Sequence, residues 1–146
     1  MTAKEYLRDI HSYKRIVESL SDQVEAISTE IEGVKAMRYD RDRVQTSPTN
    51  RLEELMAELL PELTRLEAEY IKELVRYRTE LLKRISLIAT LPNQLHVTVL
   101  TLRYVDGKRW EEIALETDYS FRHITRIHGD ALQSFTALHK DVLECP

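Results

Sequence analysis

With 146 residues, three glycines, four prolines and 32% charged side chains, the chain is suited to long helices rather than to sheets. Its one cysteine, Cys145, excludes an intramolecular disulfide and a cysteine-rich zinc site, and no apolar run approaches the roughly 20 residues that span a bilayer, so a soluble cytoplasmic protein is expected. The net charge of −4 is evenly spread: residues 91–146 hold six Lys/Arg against eight Asp/Glu, and residues 1–90 hold the other fifteen against seventeen, a thin electrostatic footprint for an autonomous nucleic-acid binder.

The first third carries a heptad stripe: Ala3, Tyr6, Ile10, Tyr13, Val17, Leu20, Val24, Ile27, Ile31 and Val34, with spacings alternating three and four. Such a stripe predicts one long helix seeking a coiled-coil partner, and it runs for about 50 Å at the helical rise. Arg38 to Arg43 is charged on nearly every residue and continues only as a solvated helix end or a loop. The stretch V-Q-T-S-P-T-N then breaks the chain, with Ser47 able to cap a new helix and Pro48 suited to its first turn.

The second long helix has the stripe Leu52, Leu55, Leu59, Leu63, Leu66, Tyr70, Leu74, Tyr77, Leu81, Ile85 and Ile88. Pro61 either kinks it or marks a fresh start, and the steps 66–70–74 and 77–81–85 are stutters that locally unwind a supercoil. Two amphipathic helices joined by one break predict an antiparallel coiled-coil hairpin arm over residues 1–90. Leu60, Leu82 and Leu87 widen its apolar stripe, which fits either a homodimer with a four-helix arm or packing onto the C-terminal domain.

Residues 91–138 read as a separate helix-turn-helix domain followed by a frayed tail, 139–146. Asn93 caps a third helix through Tyr104 with Leu95, Val99 and Leu102 on one face, and Asp106-Gly107 stops it. In Trp110 to Ile127, Ile113 and Ala114 lie on a short helix, Asp118 falls where the turn needs a left-handed residue, and Ser120 caps a second helix whose Ile124 and Ile127 return to the core. Ala114 is small where the two helices come closest, whereas Thr117 stands where an apolar side chain is common. The second helix is the one such motifs lay in the DNA major groove.

Three blocks, V-L-T-L-R-Y at 99–104, W-E-E-I-A at 110–114 and Y-S-F-R-H-I-T-R-I-H-G-D-A-L at 119–132, resemble region four of bacterial sigma factors in order and spacing. The whole chain is more similar still to a family of short phage and prophage proteins that place a coiled-coil arm before a region-four-like module and resemble activators of phage late transcription. This resemblance implies an all-α regulator that reads promoter DNA while touching RNA polymerase. The expected DNA-contacting residues are Ser120, Phe121, Arg122, His123, Thr125 and Arg126 on the second helix, with Trp110 at the start of the first.

Phe121 and Thr125 depart from the arginines usual in the major sigma factors, so fewer bidentate guanine contacts are available. Phe121 can meet a thymine methyl instead, and Thr125 a base or a phosphate. Arg122 and Arg126 are readers of base or phosphate, or else a solvated stripe. Trp110 packs on the domain or rests against a phosphate, and Arg103 with Glu112 is expected to form a structural ion pair. His123 and His128 read as partly buried spacers rather than metal ligands, since their separation of five lies poorly on one helical face. Gly129 replaces the usual alanine, which a close backbone approach would explain.

The resulting expectation is a sequence-specific transcription regulator, with an oligomeric DNA-packaging or architectural protein, or an interaction module with a degenerate motif, as alternatives. A complete sigma factor is not expected, because the arm's tyrosines occupy core positions rather than forming an aromatic platform for single strands. H-E-x-x-H and a glycine-rich phosphate loop are both missing, so no enzyme, cofactor, metal site or small-molecule substrate is expected.

Overall fold

A computed structural model describes the backbone of residues 1–44 and 50–145, and the side chains of 1–40 and 51–145. The expected Ser47 cap and Pro48 turn lie outside the described residues. All elements among these residues are helical: α1 (Ala3–Arg8), α2 (Ile10–Val44), α3 (Asn50–Ala89), α4 (Gln94–Leu100) with a π-helical turn (Thr101–Val105), α5 (Trp110–Thr117), α6 (Phe121–Leu138) and α7 (Lys140–Glu144). Among the described residues no helix is long and apolar enough to cross a membrane.

Thr2 starts α1 with a reciprocal capping box: the Glu5 amide donates to Thr2 Oγ1 at 3.2 Å and the Thr2 amide donates to Glu5 Oε2 at 2.8 Å. These bonds hold the Glu5 carboxyl below its usual range. The expected single N-terminal helix is interrupted at Asp9, whose carbonyl accepts from both the amide and the hydroxyl of Ser12, at 2.9 and 2.7 Å. Every member of the first heptad stripe is buried or half-buried, and α2 stays helical through the charged run to Val44.

The second stripe needs two corrections. Met56, outside the expected stripe, is buried while Leu55 is half-buried against the same core, and Arg84 is 3% exposed while Ile85 is 37% exposed. Substituting these two gives the row 52–56–59–63–66–70–74–77–81–84–88, which removes the expected stutter at 77–81–85. α3 runs through exposed Pro61 instead of starting afresh there.

The chain divides into two compact units, Lys14–Arg76 and Met1–Tyr13 with Tyr77–Pro146. The boundary expected at residue 90 is therefore redrawn, because the first thirteen residues belong to the same unit as the C-terminal helices. In the Lys14–Arg76 unit, Ile31 and Val34 of α2 share a core with Met56 and Leu59 of α3, flanked by Ile27, Leu52, Leu55 and Leu63. The Arg38–Glu53 ion pair at 3.5 Å is exposed on both sides and adds little to this apolar contact.

Two cores share α6 in the other unit. Ala131 and Phe135 pack with Ala3, Leu7, Ile88, Leu91, Leu100, Tyr104 and Leu143, while Ile124 and Ile127 pack with Val99 and Ile113. Leu143 carries α7, so the segment expected to be a frayed tail is docked through residue 144, and His139 Nε2 lies 2.8 Å from Thr90 Oγ1. Leu87, one of the three flanking leucines, packs against this core, whereas Leu60 and Leu82 remain exposed.

Buried Arg84 ties the N-terminal segment to this core. Its Nε donates to the Tyr6 carbonyl at 3.0 Å, its Nη1 donates to Glu80 Oε2 at 2.9 Å, and its guanidinium lies 4.2 Å from the centre of the Tyr6 ring. Leu7 is fully buried in the cluster with Leu100, Tyr104, Ala131 and Phe135. Leu7→Ala should destabilise the protein by about 2–5 kcal/mol in urea unfolding followed by circular dichroism. A loss under about 1 kcal/mol would show that α1 is dispensable to this core.

Candidate nucleic-acid interface

α5 and α6 are set by local chemistry at both ends of the segment joining them. α5 begins after Gly107, at φ +69°, and its first turn is held by the Arg109 amide donating to Glu112 Oε2 at 2.8 Å. It ends at Asp118, whose φ of 58° and ψ of 24° place it in the left-handed region, as its position in the turn demands. Thr117 is accommodated because its hydroxyl donates to the Ile113 carbonyl at 2.7 Å. Ser120 then caps α6, its Oγ accepting from the His123 amide at 3.2 Å.

Burial along α6 follows the helical period. Ile124, Ile127, Ala131 and Phe135 face inward, and Phe121, Arg122, His123, Thr125, Arg126, Gly129 and Asp130 face solvent. The expected contact residues Ser120, Phe121, Arg122, His123, Thr125 and Arg126 are therefore all exposed on the first turns of one helix. Phe121 is 50% exposed. Among the described residues neither Arg122 nor Arg126 makes an ion pair, so both charges are available to an outside anion.

Neighbouring groups refine these roles. The Thr125 hydroxyl donates to the Arg122 carbonyl at 2.9 Å, which leaves its oxygen as an acceptor toward solvent. The His123 ring lies 4.9 Å from that of Tyr119, a 40% exposed turn residue absent from the sequence-derived set. Arg109 is also exposed at the head of α5, its side chain only loosely paired with Glu112 at 3.8 Å.

Trp110 differs from the rest of the expected set. It is half-buried against the core of Val99, Ile113, Ile124 and Ile127, with the Arg103 guanidinium 4.5 Å from its ring centre and the His128 ring 4.6 Å away, edge-on. The expected Arg103–Glu112 ion pair does not form. Arg103 stacks on Trp110 and donates to the Lys108 carbonyl at 3.0 Å, while Glu112 turns to Arg109. Nor does a close backbone approach explain Gly129, since a Cβ there would meet nothing within 4 Å.

His128 is no mere spacer: it is 8% exposed, and its Nε2 lies 2.8 Å from Tyr104 Oη. Burial, then the charges of Lys4 and Arg103, push its pKa down from 6.5 to about 4.

Compared with known protein families, characterised proteins and solved structures, the chain shows no match to any of them.

Two outcomes follow from α6. Gly129→Ala should raise stability by about 1 kcal/mol, read as a higher unfolding midpoint, since open space and helical backbone leave only the propensity gain. Between pH 6.5 and 4 the unfolded chain protonates His128 while the folded chain keeps it neutral, so stability is complete above that window and falls as pH drops through it. The slope from this residue is at most about 1.4 kcal/mol per pH unit. Urea midpoints at pH 7, 6 and 5 should show that loss, and His128→Gln should flatten it.

Proposed function

We propose that α5, the Asp118 turn and α6 act as a helix-turn-helix that reads double-stranded DNA, in a transcription regulator working with RNA polymerase. The carrying observation is the exposed first face of α6: Phe121, Arg122, Thr125 and Arg126 point outward while Ile124 and Ile127 anchor the helix from behind. A rigid helix edge bearing two unpaired guanidiniums, one exposed aromatic ring and one hydroxyl acceptor has the chemistry of a major-groove reader. The resemblance of the three sequence blocks to sigma region four supports the polymerase partnership, and the whole-chain resemblance to short phage and prophage proteins supports a phage or prophage origin.

In this reading the Lys14–Arg76 helices form a coiled-coil hairpin arm that supplies avidity, by pairing two copies or by engaging polymerase. The thin cationic surface requires such help, because few phosphate contacts leave intrinsic affinity low. The protein acts in the cytoplasm, where promoter DNA and polymerase are both present.

Selection of bound fragments from a random duplex pool, with and without RNA polymerase, should return a common sequence. Arg126→Ala should then weaken binding to that sequence by about tenfold without loss of helicity. If the arginine meets a phosphate, the variant lowers the slope of log affinity against log salt by about 1. If it meets a base edge, preference relaxes at one position. Equal affinity and equal selectivity for variant and wild type would remove Arg126 from the interface.

A further inference from the structure

We propose that a cleft of about 340 Å³, lined by Lys4, Arg8, Arg103, Gly107, Trp110 and His128, is a binding site for a phosphate group. The cleft is built within a single compact unit from α1, the π-helical turn, the loop before α5, and the two helices of the candidate interface. Its volume lies at the lower end of the range for ligand pockets, about 300–1,000 Å³. Neither Asp nor Glu is among its lining residues.

Three fixed cations thus converge on one concave surface in a chain whose overall charge is −4. Among the described residues Lys4 and Arg8 make no ion pair and no hydrogen bond, and Arg103 is held only by the Trp110 ring and the Lys108 carbonyl. Like charges gathered on a surface with no carboxylate in its lining repel one another, and a bound anion relieves that repulsion. Burial is the main cause of the lowered His128 pKa, and the charges of Lys4 and Arg103 add to it.

A single carboxylate would leave most of this charge uncompensated, whereas a phosphate or pyrophosphate offers several oxygens to a guanidinium fork and an ammonium together. Gly107, at φ +69° and with nothing within 4 Å of where a Cβ would sit, leaves the rim open to such a group. The phosphate can come from the DNA backbone or from a free phosphorylated compound. The chemistry of capture is the same.

Trp110 is the chain's one tryptophan, so its emission reports on the cleft directly. The full chain is titrated with inorganic pyrophosphate at constant ionic strength, and separately with a mixed-sequence DNA duplex across a salt series. Wild type should show a saturable change in emission with pyrophosphate, and Lys4→Ala/Arg8→Ala should weaken it by about tenfold or more with an unchanged circular dichroism spectrum.

If the double variant also lowers the duplex salt slope by about 2, the site takes a backbone phosphate; an unchanged slope assigns it to a free phosphate. Equal pyrophosphate affinity in wild type and variant would overturn the proposal. So would no pyrophosphate binding together with an unchanged duplex slope. Arg122→Ala/Arg126→Ala should leave the pyrophosphate titration intact, so loss of duplex reading and loss of the phosphate site are separable outcomes.

Discussion

The organisation of the Met1–Tyr13 and Tyr77–Pro146 unit rests on the seating of α1 against the C-terminal helices. Ala3 and Leu7 enter one apolar cluster with Leu100, Tyr104, Ala131 and Phe135, and Arg84 grips the following backbone through the Tyr6 carbonyl. A buried guanidinium is tolerable only when its donors and charge are met. Here the Tyr6 carbonyl, the Glu80 carbonyl and carboxylate and the Tyr6 ring meet them, with Asp9 at 3.7 Å completing the charge balance. Glu80 is held ionised by Lys83 and by Arg84 itself. The clamp therefore sets where residues 1–13 lie, and with them the cations Lys4 and Arg8.

α6 converts that seating into a presented surface. Its C-terminal half is fixed by the cluster containing α1 and α7, and its N-terminal half by the cluster containing α4 and α5. With the inner face anchored at Ile124, Ile127, Ala131 and Phe135, the rotation of the helix about its axis is determined, and Phe121, Arg122, Thr125 and Arg126 have no direction but outward. The same helix carries His128 inward to Tyr104 and Trp110, so the helix proposed to read the groove also lines the phosphate cleft. A duplex meeting the first and a phosphate held in the second would address a common scaffold.

Charge distribution matters more than net charge in this molecule. The chain is acidic overall, yet many of its carboxylates are engaged locally: Glu112 with Arg109, Glu116 with Lys108, and Glu80 with Lys83 and Arg84. The exposed pairs among these add little stability but cancel field at short range. Among the described residues, Arg122 and Arg126 on the first turns of α6 and Lys4 and Arg8 in the cleft beside α1 make no ion pair.

Local chemistry was readable from the residues alone. The heptad stripe of α2, the Asn93 and Ser120 caps, the left-handed Asp118 and the exposed set on α6 depend on spacings within a few turns, where side-chain type and helical period decide the outcome. Long-range pairing was not readable. That Arg84 rather than Ile85 turns inward depends on Tyr6 and Asp9, more than seventy residues away in sequence. Periodicity tells which face of a helix is apolar, but which distant segment covers it is settled only when the chain closes on itself, and closure brought Lys4 and Arg8 to the side of His128.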